Sequence, residues 1–270
     1  MFNQILARKD LIAQLVVRDL KIKYLRPVLG SFWAFLSPLS MVLIFYLVFY
    51  RILKINITEA PFMLYLMSGI FTWNFFQESI SSSTVSLVNS RNLIKEANFP
   101  HYLIPISIVL TNAINFLPTL AVLIITSLIV LKGLPLFIIF LPFVVLIHLA
   151  ITTGFAIICS ILYVKWRDIK YVLDVVLLLM LYLTPAFYSI MQVKGVFPRW
   201  LFMLYAHNPF VGILNMYRVT LLKGFWGFVH KDIGLMAFIG LPVIFAVLIL
   251  YLSYKFYQRQ KAGINDYLSY

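Results

Sequence analysis

The sequence predicts an all-α integral membrane protein with six transmembrane helices. Hydrophobic residues make up 63% of its 270 positions and charged residues only 11%, and the mean hydropathy is +0.96. A soluble domain carries roughly 25% charged residues. Only lipid tolerates the exposure of that much apolar surface. The apolar residues are also arranged in charge-free runs close to the length of about 20 residues that crosses a bilayer. These runs lie at 27–50, 60–77, 97–131, 133–164, 175–193 and 233–254.

The elements follow in order. The first 26 residues hold six basic and two acidic side chains without a continuous apolar stretch, which argues against a signal peptide. Ile12, Val16 and Leu20 recur every fourth residue, with Arg18 and Lys21 on other faces and Lys9 and Lys23 near the apolar side. That pattern predicts a partly amphipathic helix within residues 1–30, lying on the membrane surface. Spans one to five are expected within 31–190, at 31–51, 62–88, 103–131, 135–163 and 170–190. Span six is expected at 233–256, within a 232–256 segment, and residues 257–270 read as a tail. A further charge-free run at 200–217 contains His207-Asn208-Pro209 and Gly212, so it breaks near its middle. It predicts a pair of short re-entrant or interfacial helices in an external region at 191–231, covered by protein where it enters the membrane.

Charge supports this count. With both termini cytoplasmic, fourteen of the 22 basic residues fall inside and eight outside. Counting 200–217 as a seventh span would carry the basic C-terminus outward, against the positive-inside bias.

The same residues exclude several classes. The net charge is +13, but the basic residues edge the apolar runs instead of forming one groove. This favours anionic headgroups and topology over nucleic acid. Cys159 is the single cysteine, so there is no disulfide framework. No G-x-x-x-x-G-K-[ST] occurs, so the chain has no P-loop to cradle nucleotide phosphates. It also lacks H-E-x-x-H and paired intramembrane carboxylates, and His101, His148, His207 and His230 are scattered. No catalytic residues and no metal site are therefore expected, and an embedded enzyme of lipid-linked sugar metabolism lacks its parts. An ion-coupled carrier would show broken helices in both halves; only the second half has one.

One interruption stands out. Residues 89–105 read N-S-R-N-L-I-K-E-A-N-F-P-H-Y-L-I-P, helix-forming from Leu93 to Ala97 and closed by two prolines. On the cytoplasmic side this segment has the form of a foot for a soluble partner. Leu93 and Ile94 would fill a groove, with Arg91, Lys95 and Glu96 around them; a simple polar connector is the plainer alternative.

Several motifs carry a family likeness. Arg18-Asp19-Leu20-Lys21-Ile22-Lys23-Tyr24, Leu29-Gly30-Ser31-Phe32-Trp33 and Ser37-Pro38-Leu39 resemble the approach to the first span in ABC-2 type transport permeases. The likeness is nearest to the exporters of O-antigen, teichoic acid and capsule. Asn92-Leu93-Ile94-Lys95, with Phe99-Pro100 and Pro105, is similar to the coupling helix of that family. Trp166-Arg167-Asp168-Ile169, Pro185, and Asn208-Pro209 with Arg218 match as well, so nearly the whole chain is covered in order and spacing.

The resemblance implies a single ABC-2 transmembrane domain over 1–270, a permease and not an enzyme, in the bacterial cytoplasmic (inner) membrane. It implies a homodimer with two separate ATP-binding cassette subunits; ATP and Mg would belong to those subunits, and this chain would hold no cofactor. The implied ATPase-coupling residues are Arg91, Asn92, Leu93, Ile94, Lys95, Glu96, Phe99 and Pro100. The implied cargo is a lipid-linked, O-antigen-like polysaccharide, with a small lipid or drug as the alternative.

Three groups of residues bear on that cargo. Phe35, Val42, Phe45, Tyr46 and Phe49 share a sector of the first span, as helical geometry of 3.6 residues per turn requires. Aromatic rings suit the apolar faces of sugars while Tyr hydroxyls bond their edges, so these residues are candidates to line a channel; interhelical packing explains the same stripe. Trp73 and Phe76 of span two, and Tyr182, Phe187 and Tyr188 of span five, are further candidates. Glu78 opens a serine-rich half of span two, where a charge is costly unless hydrated or paired. Arg18, Lys21, Lys23 and Arg26 stand where a lipid would present its phosphates, and would serve either headgroup binding or topology alone.

Overall fold

A computed structural model describes residues 7–24, 32–55, 57, 59–96, 99–228 and 234–269. All secondary structure among them is helical. Helix α1 spans Lys9–Tyr24, and α2 spans Phe32–Phe45 and continues as a π-helical stretch, Tyr46–Ile52. Next come α3 (Phe62–Thr84), a single turn α4 (Ser86–Asn89), α5 (Arg91–Glu96) and α6 (Leu103–Val130). A 3₁₀ segment, Leu136–Phe140, leads into α7 (Leu141–Lys165). Then follow α8 (Ile169–Leu183), α9 (Ile190–Val196), α10 (Arg199–Ala206) and α11 (Pro209–Leu221). A π-helical turn, Met236–Gly240, opens α12 (Leu241–Ser269).

Three of the described helices are long and apolar enough to cross a membrane, at Leu103–Val130, Leu136–Lys165 and Met236–Lys261. Their surfaces fit that role, because Ile129, Leu136, Ile139, Leu146 and Val247 stand exposed along them. The most extensive packing is between α7 and α12. Gly154 permits it: a Cβ there would lie 2.9 Å from the Ile249 side chain. Small residues serve this purpose in membrane bundles, letting backbones approach where lipid leaves no hydrophobic drive for association.

Two expected boundaries move. The fifth span was expected at 170–190, yet α8 ends at Leu183 after 15 residues, roughly 22 Å of helix. The cause is local: Pro185 disfavours helical backbone in the residue before it, and Thr184 is extended, with φ −105° and ψ 149°. The chain resumes helix only at Ile190, where Ser189 and Gln192 form a capping box. The last helix, expected to end near residue 256, instead continues through the supposed tail to Ser269. The broken element at 200–217 takes the expected form, two short helices, with Asn208 capping α11 by accepting the Phe210 amide at 3.0 Å.

The buried side chains form two clusters. The larger fills the bundle between α3, α6, α7, α11 and α12. The smaller gathers Ile12, Leu15 and Val16 of α1, Ile94 of α5, Ile157 and Val164 of α7, and Tyr257 and Ile264 of α12. Helix α5 and the far end of α12 therefore lie at the same end of the molecule.

Candidate functional site

The end of the bundle that carries α5 is built from segments distant in sequence. Ile94 is 7% exposed and Phe99 6%, both inside the smaller cluster, and Leu93 packs against it. Ile94 and Phe99 were expected among the residues offered to a partner; they face their own subunit and anchor the segment instead. Asn92 and Lys95 are the exposed members, Arg91 and Pro100 are half-buried, and the side chain of Glu96 lies outside the described residues.

Helix α1 is pinned against α3 and α6. Lys23 Nζ donates to Glu78 Oε1 at 2.9 Å and to Asn112 Oδ1 at 3.1 Å, and Asn112 Nδ2 donates to Ser82 Oγ at 3.2 Å. One turn back, Ser107 Oγ donates to Asp19 Oδ2 at 3.0 Å while Arg18 holds Asp19 Oδ1 at 2.7 Å. The serine-rich half of α3 thus has a use: Glu78 receives Lys23 of α1 directly, and Ser82 holds the Asn112 that shares it. Glu78 is neutralised by Lys23 at a side-chain exposure of 58%, so it carries no buried charge. Of the four basic residues expected to meet a headgroup, Arg18 and Lys23 hold carboxylates, Lys21 is exposed, and Arg26 lies outside the described residues.

The aromatic candidates separate into two sets. Phe187, in the break after α8, meets Phe45 and Phe49 of α2 at 5.4 Å each, Tyr182 at 5.4 Å and Tyr188 at 5.4 Å. The fold therefore joins the stripe of α2 to the candidates of α8 and the break that follows it. Tyr182 is exposed and Tyr46 stacks on Tyr50 at 4.9 Å. Trp73, Phe76 and Val42 were expected on a lining, but each is 2% exposed in the subunit interior. Trp73 and Phe76 pack on Phe210, and Phe76 also on His148 and Phe155. The side chain of Phe35 lies outside the described residues.

At the opposite end sits a group that the sequence offers only as part of the family likeness, without its role. Arg218 of α11 is fully buried. Its Nη1 donates to the Tyr65 hydroxyl at 2.8 Å, its Nε to Ser68 Oγ at 3.3 Å, and its Nη2 to the carbonyls of Pro185 and of Ala186, the latter at 3.3 Å. The guanidinium carbon stands 3.4 Å from the centre of the Tyr65 ring. Around it, Tyr65 donates to the Tyr188 carbonyl at 3.0 Å, Tyr188 bonds the Tyr205 hydroxyl at 3.0 Å, and Ser189 bonds the buried carboxylate of Glu59. Arginine suits this place, because its planar fork reaches several acceptors that a lysine could not. The two carbonyls are free to accept because Pro185 broke the helix there, so sequence-distant elements are tied at one point: α3, the α8–α9 break, α10 and α11. The signal available in the sequence was a lone arginine after a long charge-free run; intramembrane ionisable residues are functional candidates by default.

Comparison with known proteins adds identity to this geometry. Residues 10–222 match the family model described as ABC-2 type transporter. The O-antigen export system permease protein RfbA of Myxococcus xanthus is 28% identical over 210 residues, covering 78% of this chain and 79% of that protein. Two O-antigen export system permease proteins of the same name from Klebsiella pneumoniae are each 26% identical over 255 residues, covering 92% of this chain and 93% of theirs.

Proposed function

The chain belongs to the ABC-2 type transporter family, and on that premise we propose that it is the permease subunit of an exporter carrying a lipid-linked, O-antigen-like polysaccharide across the bacterial inner membrane. The alignment to O-antigen export permeases along 92% of the chain is the observation that carries this reading. In it, six spans correspond to α2, α3, α6, α7, α8 with the break that follows it, and α12, and both termini face the cytoplasm. Two copies of the chain assemble with two ATP-binding subunits.

The mechanism assigns a task to each region. The exposed side chains of α5, Asn92 and Lys95, meet the ATP-binding subunit, while Ile94 and Phe99 pass its displacement into the bundle. A headgroup phosphate arriving at the cytoplasmic leaflet meets Lys21 first, then competes with Asp19 and Glu78 for Arg18 and Lys23. Each charge-assisted bond broken in this exchange is replaced by one to phosphate, so the swap costs little and frees α1 from α3. Phe45, Phe49 and Tyr182 line the glycan path at the junction of two copies, offering repeated weak contacts to sugar faces, while Phe187, expected on the lining, is 6% exposed and backs them from the interior. The hairpin of α10 and α11, tied by Arg218 to the α8–α9 break, gates the outer mouth. The partner's unequal affinity for closed and open states drives the cycle.

The test is reconstitution. The chain, co-purified with its candidate ATPase in proteoliposomes, is expected to move lipid-linked glycan only with ATP, with hydrolysis stimulated by the glycan. ATP hydrolysis that is indifferent to glycan, with no glycan moved, would refute the reading.

A further inference from the structure

The last helix does not stop where the membrane requires. Helix α12 is 29 residues long, about 43 Å, against a hydrocarbon core of about 30 Å. Its surplus begins at Lys255 and ends in an amphipathic stretch. Tyr257 is 6% exposed and Ile264 2%, while Lys255, Arg259 and Lys261 are exposed. Tyr257 and Ile264 lie seven residues apart, on one face of a helix.

That face closes on the exit of α5. The Tyr257 hydroxyl accepts the backbone N–H of His101 at 3.3 Å. This amide lies just before α6, so the hydroxyl fastens α12 to the chain entering that helix. The Tyr257 ring meets Tyr102 edge-on at 4.9 Å, and Tyr254 meets the same ring at 6.2 Å. His101 in turn lies edge-on to Phe99 at 6.4 Å. Tyr257, Tyr102, Phe99 and Ile94 all belong to the one apolar cluster.

We propose that the extension of α12 beyond residue 254 is a second transmission arm, with Tyr257 as the positioning residue that locks it to the segment leading from α5 into α6. A displacement delivered at Asn92 and Lys95 then moves α12 as one body with α5. Through the close approach at Gly154 and Ile249 it reaches α7, in parallel with the route through α3 and α6. Interiors packed this densely transmit such shifts without absorbing them. The inference rests on the proposal that α5 docks an ATP-binding subunit.

Two measurements test it in the reconstituted complex. Tyr257→Ala removes ring and hydroxyl, and Tyr257→Phe removes the hydroxyl alone. Glycan moved per ATP hydrolysed is expected to fall about 3- to 30-fold in the first and less in the second, the range that coupling mutations usually produce. An unchanged ratio in Tyr257→Ala would overturn the proposal. The second test bridges His101→Cys and Tyr257→Cys with a short bifunctional maleimide, in a Cys159→Ala background. Tyr257→Cys alone is expected to lose coupling as Tyr257→Ala does, and one rigid body requires the bridge to restore the ratio of glycan moved to ATP hydrolysed. A bridged protein that transports less than the same protein unbridged would show that the two segments must move relative to one another, and would overturn the proposal as well. Failure of the unaltered chain to retain the ATPase during purification would instead sink the docking of α5, so the two failures are told apart.

Discussion

Replacing Arg218 by Met tests the buried centre that ties the α10–α11 hairpin to the helix break. Methionine fills a similar volume without charge. The change removes four hydrogen bonds and the stacking on Tyr65. The carbonyls of Pro185 and Ala186 then lose their donor, at about 1–3 kcal/mol for each buried group left unpaired. Stacking of a desolvated cation on a ring is worth about 2 kcal/mol. Against this stands relief from burying the guanidinium, which is several kcal/mol per ion. Removing one member of a buried charged network costs about 3–5 kcal/mol on balance, and that is the expected loss for Arg218→Met. Arg218→Lys keeps the charge but presents a single nitrogen to acceptors spread over one helix and a loop, so about 1–3 kcal/mol is expected. The assay is reversible unfolding in mixed micelles, followed by the fluorescence of the five tryptophans. An Arg218→Met protein within 1 kcal/mol of its parent, with transport intact, would refute the role given to this residue.

Other substitutions probe the remaining contacts. Gly69→Ala places a Cβ 2.2 Å from the Ala186 carbonyl oxygen, so folded protein is expected to be lost on size-exclusion profiles, whereas Gly195→Ala, which meets open space, is expected to be silent. The Lys23–Glu78 pair is half exposed, so breaking it by Glu78→Lys should change stability by less than about 1 kcal/mol. Its effect belongs in transport, and the exchanged pair Lys23→Glu with Glu78→Lys is expected to restore what either single change loses. Ile94→Asp buries a charge in the cluster and should destabilise the subunit itself by about 3 kcal/mol or more. Lys95→Glu and Asn92→Asp should leave stability alone and weaken ATPase capture; equal stability losses at all three positions would contradict the inward placement of Ile94.

Much of this arrangement was legible in residue order. His207-Asn208-Pro209 foretold the break in the charge-free run at 200–217, because proline cannot continue a helix that reaches it but readily starts one. The apolar spacing of Ile12 and Val16 foretold the buried face of α1. What escaped was nonlocal. Arg218 read as one of eight external basic residues, since its acceptors stand 32 to 153 positions away and no local pattern announces them. Glu78 read as an isolated intramembrane charge because its partner lies 55 residues earlier. Trp73 and Phe76 carry the composition of a sugar-facing surface, yet helical periodicity gives a face and not the neighbour that covers it, here Phe210. The extension of α12 was hidden by its charges, which end a membrane run without ending a helix.

The central claim is that α5 is presented to the cytosol, where a separate ATPase can grip it. Asn92→Cys in a Cys159→Ala background, challenged with a membrane-impermeant maleimide, tests it most directly. Labelling is expected in inverted vesicles and in permeabilised cells, blocked by the bound ATPase, and absent in intact spheroplasts. Labelling from the outer face of intact spheroplasts would contradict the orientation and the force path built on it.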